Sequence, residues 1–139
     1  MIILRITLES DLDVIREFII NEELNLEELH LEIIKIFNLD KFEMASFFLT
    51  DDNLNLLQEI TLVNTEEENN MIMKDIKITS ILNVSNPSII YIYDFMNMWR
   101  FHIQFLKTGD PSDIDKTKYL YSKGKLPQKA PKIIFEHTQ

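Results

Sequence analysis

The chain of 139 residues has no cysteine, only two glycines, one tryptophan and three histidines. Without a thiol there is no disulfide framework, no thiolate nucleophile and no Cys-type zinc site. Two glycines, Gly109 and Gly124, cannot furnish a phosphate-cradling loop or a dinucleotide fingerprint, since each needs several glycines at close spacing. No apolar run approaches the roughly 18 residues of a membrane helix. The opening "MIILRITLES" carries no basic stretch ahead of a longer apolar one, so it does not read as a secretion signal. These absences make a cytoplasmic protein without membrane contact the expectation, and they leave no cofactor to expect.

What is present is ordinary for a globular protein: 45% apolar and 27% charged residues. A chain of this length buries roughly two-thirds of its unfolded surface around one core. The net charge of −9 is unevenly spread. Residues 1–106 hold 7 basic against 19 acidic side chains, a balance of −12, and residues 107–139 hold 7 against 4, a balance of +3. An acidic body repels phosphate backbones, because nucleic-acid affinity rests on cationic side chains displacing counterions. Nucleic acid is therefore not an expected partner of the body, and only the lysine-bearing tail could touch an anionic one.

Residues 2–9, "IILRITLE", place Ile2, Leu4, Ile6 and Leu8 on one face, the period of a half-buried strand. "SDLD" is a polar turn and "VIREFII" at 14–20 the returning strand. The period then changes. In "NLEELHLEIIKIFN", Leu26, Leu29, Ile33 and Phe37 recur at three- and four-residue steps, predicting an amphipathic helix. Asn25 and Glu28 have the spacing of a reciprocal cap, and Glu27 and Glu28 suit the positive N-terminal end. "EMASFFLT" at 43–50 and "QEITLV" at 58–63 read as strands, "NTEEENNMIMKD" at 64–75 as an exposed loop, and "ITSILN" as one helical turn capped by Thr79 or Ser80.

The densest aromatic stretch is "SIIYIYDFMNMWRFHIQF", residues 88–105. Trp99, Phe101, Ile103 and Phe105 alternate with Arg100, His102 and Gln104, so a strand points Trp99 into the core and His102 toward solvent. Residues 88–94 form its antiparallel partner, and "FMNM", which lacks glycine, calls for a wider loop or a bulge rather than a two-residue turn. Two strands, a helix and further strands predict an α+β fold, a β-grasp-like mixed sheet packed on one main helix. The domain is expected over residues 1–109. Residues 110–139, broken by Pro111, Gly124, Pro127 and Pro131, form a lysine-bearing tail, irregular or docked through Tyr119, Leu120 and Ile133 to Phe135.

Candidate chemistry is sparse. His30, His102 and His137 lie too far apart for a two-histidine metal pair at helical spacing, and His30 reads as a satisfied boundary histidine. "DDNLN" at 51–55 starts like a calcium loop, but Leu56 stands where glycine is needed and Leu62 where a bidentate glutamate is needed. Adjacent carboxylates such as Glu27 with Glu28 do not form an acid/base pair across a cleft. No serine has an identifiable histidine partner. No catalytic or metal-ligating residue is assigned. Met96 and Met98, with Asn97 between them, are the exception: methionines near a strand connection suit an adaptable protein-binding surface.

The order of "LRITLESDLDVIREFIINEELNLEELHLEIIKIFN", "FEMASFFL" and "YIYDFMNMWRFHIQF" over residues 2–107 resembles the plasmid open-reading-frame-three-like family, also labelled insertion-sequence passenger TnpR-like. The resemblance implies a β-grasp-like α+β fold and no established activity. Its signature carries over at His30, Tyr93, Asp94 and Trp99. Met96 and Asn97 replace the family's Gly-Asp pair, Phe101 a histidine and Glu43 another, which implies that any polar or metal site built from those positions is lost here.

The leading expectation is a non-enzymatic protein-interaction module that offers a sheet edge or the patch at Met96, Asn97 and Met98 to a protein partner. A second, from the resemblance alone, is a mobile-element accessory factor contacting DNA or a recombinase through the tail. A third is a hydrolase or metal enzyme centred on His30, Asp94 and a nearby carboxylate.

Overall fold

The computed structural model describes residues 1–65, 70–110 and 117–132. The acidic run at 66–68, the apolar triplet Ile133 to Phe135 and His137 lie outside the described residues.

Strand β1 (Ile2–Leu8) turns through 9–14 into β2 (Ile15–Ile20), and the pair is antiparallel with Leu4 opposite Phe18 and Ile6 opposite Arg16. Helix α1 (Leu26–Phe37) starts at the predicted cap: the Glu28 amide donates to Asn25 Oδ1 at 2.9 Å and the Asn25 amide to Glu28 Oε1 at 3.1 Å. It stops at Asn38, which takes the left-handed conformation (φ 53°) that asparagine tolerates better than most residues. β3 (Ala45–Thr50) and β4 (Leu56–Thr61) form a second hairpin. β5 (Met71–Ile72), a 3-10 turn (Met73–Asp75) and the single-turn helix α2 (Ile78–Ile81) lead to β6 (Ser88–Tyr93), β7 (Trp99–Thr108) and β8 (Lys118–Lys123).

The strands form one sheet in the order β5-β4-β3-β6-β7-β1-β2-β8. Its neighbours are antiparallel except β4 and β5, so the sheet is mixed. With one main helix against it, this is the α+β arrangement expected from the period changes. Leu26, Leu29, Ile33 and Phe37 of α1 are buried against Leu4, Ile6, Phe18, Phe47, Tyr91 and Phe101 of the sheet core. The rings interlock, Phe37 with Phe101 at 5.0 Å and Phe47 with Tyr91 at 4.9 Å between centroids. Each such side chain contributes about 1.5–3 kcal/mol by leaving water, so the helix is held mainly by this stripe rather than by intrinsic propensity.

The other face is polar but not bare. Arg5 pairs with Glu17 at 2.8 Å and Arg100 with Glu9 at 2.7 Å. Arg100 Nη2 also donates to the Leu54 carbonyl at 3.1 Å, drawing the β3–β4 turn over this face, where Ile90 and Ile92 are buried.

Three expectations change. Residues 64–75 are not all loop: Met71 and Ile72 pair with Ile60 and Thr61, and Met73 is fully buried, because an apolar triplet beside an open strand gains both backbone partners and core contacts. α2 is not capped by Thr79 or Ser80. It begins after Lys77 without a side-chain cap, and the Ile78 amide is satisfied by the Leu24 carbonyl at 3.0 Å. The tail is regular in part: residues 118–123 add to β2 as β8, with Tyr119 and Leu120 still about half exposed.

Candidate functional site

Five residues, 94–98, join β6 to β7, the wide connection that the lack of glycine required. Asp94 closes it. In the left-handed region itself (φ 60°), Asp94 accepts at Oδ1 from the amides of Met96 (3.2 Å) and Asn97 (3.4 Å), and at Oδ2 from Asn97 Nδ2 (2.6 Å). Its carbonyl accepts from the Asn97 and Met98 amides at 3.0 and 2.6 Å. Met98 is also left-handed (φ 55°). With its hydrogen-bonding capacity committed to the turn, Asp94 is a structural acceptor, and Met96 stands out at 92% exposure, flanked by half-exposed Phe95 and Met98.

The turn is tied to the α1–β3 loop. The Asp94 amide donates to the Met44 carbonyl at 2.8 Å, and the Tyr93 hydroxyl to the Asp40 carbonyl at 2.6 Å. That loop carries Phe42, exposed at 84%, and half-exposed Met44. Two neighbouring segments thus present large apolar side chains together, which single scattered exposures do not.

Trp99 is not sealed in the core, contrary to expectation. It packs against the core on one side only, and the other side forms part of an open cleft of about 450 Å³. Met96, Asn97 and Trp99 make one wall and residues 128–132 the other. Trp99 opens its strand opposite Tyr93 and is only partly buried, whereas Phe101 and Ile103 further along the strand are fully buried. Alternation correctly assigned its face; it could not say how far along the strand the cover extends.

His30 is a core residue. It is 1% exposed and its Nδ1 lies 2.7 Å from the Tyr91 hydroxyl, while burial lowers its pKa from 6.5 to about 4. A neutral imidazole enclosed by helix and sheet is a poor candidate for solvent-facing chemistry. The signature residues therefore divide: Tyr93, Asp94 and Trp99 build the turn and cleft, and His30 braces α1 on Tyr91.

His102 was expected to be solvated and serine to lack a histidine partner. Both expectations fail, for His102 is half-buried and its Nε2 lies 2.9 Å from Ser88 Oγ. Burial, then the Arg100 charge, lowers its pKa. Register explains the miss: Ser88 faces Gln104 and Ile90 faces His102, so the contact is diagonal and invisible until the strands are paired. No carboxylate orients this imidazole among the described residues, so the pair lacks the third member of a hydrolytic triad. Asp51, first position of the discarded calcium loop, instead accepts from the amides of Asn53 and Asn55 and from Asn55 Nδ2, each at 2.9 Å. Among the described residues no three histidine or acidic side chains gather to hold a metal, and no helix is long and apolar enough to cross a membrane.

The sequence profile of the plasmid pRiA4b ORF-3-like protein family matches residues 1–132. The chain belongs to this family. Its fold is similar to that of a crystal structure described as a protein of unknown function, MM3350 from Methanosarcina mazei Go1. The two share 16% sequence identity with a TM-score of 0.76, over 91% of this chain and 71% of the other. That likeness shows the fold alone and carries no activity with it. No curated protein matches the chain.

Proposed function

We propose that this pRiA4b ORF-3-like protein is a non-enzymatic interaction module acting in the cytoplasm, and that the β6–β7 turn is where it binds a protein partner. The observation that carries the reading is the way Asp94 commits its carboxylate and carbonyl to a turn that holds Met96 out at 92% exposure. Holding a large apolar side chain in water has no benefit to folding, and methionine adapts to varied partner shapes. The apolar wall continues onto Trp99, a residue type that often anchors interfaces.

The test places a photo-crosslinking amino acid at Asn97, within the turn, and at Leu57, also exposed, on β4. Discrete adducts from position 97 alone, lost when Met96 and Met98 become Ser, are expected. Identical adducts from both positions would count against the turn.

A second reading, a mobile-element accessory factor contacting DNA or a recombinase through the lysine-bearing tail, is supported by the +3 balance of residues 107–139. The −12 balance of residues 1–106 opposes it. Deleting residues 110–139 is not a clean test, because it removes β8 from the sheet and Leu126 from the core margin; lysine reversals in a salt-dependent gel shift are. A hydrolase or metal enzyme centred on His30 and Asp94 is the least supported reading, with one residue enclosed beside Tyr91 and the other bound up in the turn.

A further inference from the structure

The cleft beside Trp99 has a charge character unlike that of the protein as a whole. The chain carries 23 acidic against 14 basic residues, yet among the described residues the cleft lining contains two lysines, Lys129 and Lys132, and no carboxylate. Lys77 pairs with Glu23 at 2.6 Å and Lys123 with Asp13 at 3.2 Å. Lys129 and Lys132 have no ion-pair partner among the described residues, although an acidic protein has carboxylates in excess. Two unpaired cations thus face an aromatic ring and an exposed methionine across one opening.

We propose that this cleft takes an acidic peptide segment of a partner protein, in extended form, with an apolar side chain laid on Trp99 and Met96 and carboxylates on Lys129 and Lys132. The inference rests on reading the turn as the partner-binding surface and adds the partner's chemistry. The two lysines are three residues apart, so their Cα atoms are at most about 11 Å apart. Alternate residues of an extended peptide share one face at about 7 Å spacing, so carboxylates at every second position meet the lysine wall and the residues between them the apolar wall. Charge pairs at an interface rim act chiefly on encounter rate and partner choice, while the buried apolar contact supplies most of the affinity. A peptide suits this protein better than a nucleic acid. A peptide brings two or three charges to two lysines, whereas a nucleic acid brings a phosphate per nucleotide against a body whose balance is −12.

Trp99 is the sole tryptophan and so reports on its own cleft. The full chain is titrated with a synthetic seven-residue peptide, Ser-Asp-Leu-Asp-Leu-Asp-Ser with blocked ends, with the same peptide bearing Lys for Asp, and with a short single-stranded oligothymidylate. The acidic peptide is expected to shift Trp99 emission to the blue, to bind more weakly as salt rises, and to bind about tenfold or more weakly to the exposed double variant Lys129→Glu, Lys132→Glu. The Lys peptide should give no shift. Equal response to both peptides, response to the oligonucleotide alone, no response, or unchanged affinity in the double variant would each overturn the proposal. The crosslinking test separates the two readings: adducts at position 97 that persist through the lysine reversals keep the turn as a binding surface and remove the acidic partner.

Discussion

Lowering the pH from 7.5 to 5 should destabilise this protein through one buried side chain. His30 is neutral in the fold, because burial lowers its pKa from 6.5 to about 4, and in the unfolded chain it titrates near 6.5. Between those values the unfolded chain binds more protons than the folded one, so stability falls as pH falls. At about 1.36 kcal/mol per pKa unit, the full effect is roughly 3 kcal/mol, intact above pH 6.5 and lost below 4; about 2 kcal/mol is gone by pH 5. That is a sizeable part of the roughly 5–15 kcal/mol that holds a domain together. The sign is informative, for the whole chain meanwhile approaches its pI of about 4.7, which relieves repulsion and pushes the other way. Urea unfolding of wild type and His30→Gln, at pH 7.5, 6 and 5, is the assay. Glutamine can still hydrogen-bond the Tyr91 hydroxyl but does not titrate. Wild type should lose about 2 kcal/mol more than the variant over this range. Equal losses would refute the assignment, and His102, whose pKa is also lowered by burial, would be the next residue to replace.

Phe101→Ala should cost about 3–5 kcal/mol, since that ring is wholly enclosed between Phe37 and Tyr91. Trp99→Ala should cost only about 1–2 kcal/mol, because one side of the ring already faces the cleft; denaturant midpoints that reverse this order would contradict the geometry. Gly124→Ala should loosen β8. Gly124 has φ 77°, and an added Cβ would meet the Asp13 carbonyl oxygen at 2.0 Å, so a cost above about 1 kcal/mol is expected. Hydrogen exchange should speed up at residues 118–123 and remain slow in β6; unchanged protection of β8 would count against it.

Much of the fold was legible in the sequence because it rests on local periods. Alternation in "IILRITLE" and "WRFHIQF" and the three- and four-residue steps of "LEELHLEIIKIF" assign faces without reference to anything distant, and Asn25 with Glu28 marks the helix start through contacts three residues apart. What lay beyond reach was everything set by which strand neighbours which. The Ser88–His102 contact depends on the register of β6 and β7, the enclosure of His30 on Tyr91 lying 61 residues away, and the openness of Trp99 on where residues 128–132 cross the end of the sheet. The methionines were suspect from composition alone, but their exposure follows from two left-handed residues and one committed carboxylate. Amino-acid order determined the elements and their apolar faces, since these follow from backbone geometry over a few residues. Only the tertiary structure decided which polar groups meet and which rings stay wet, since those depend on long-range pairings that no local pattern records.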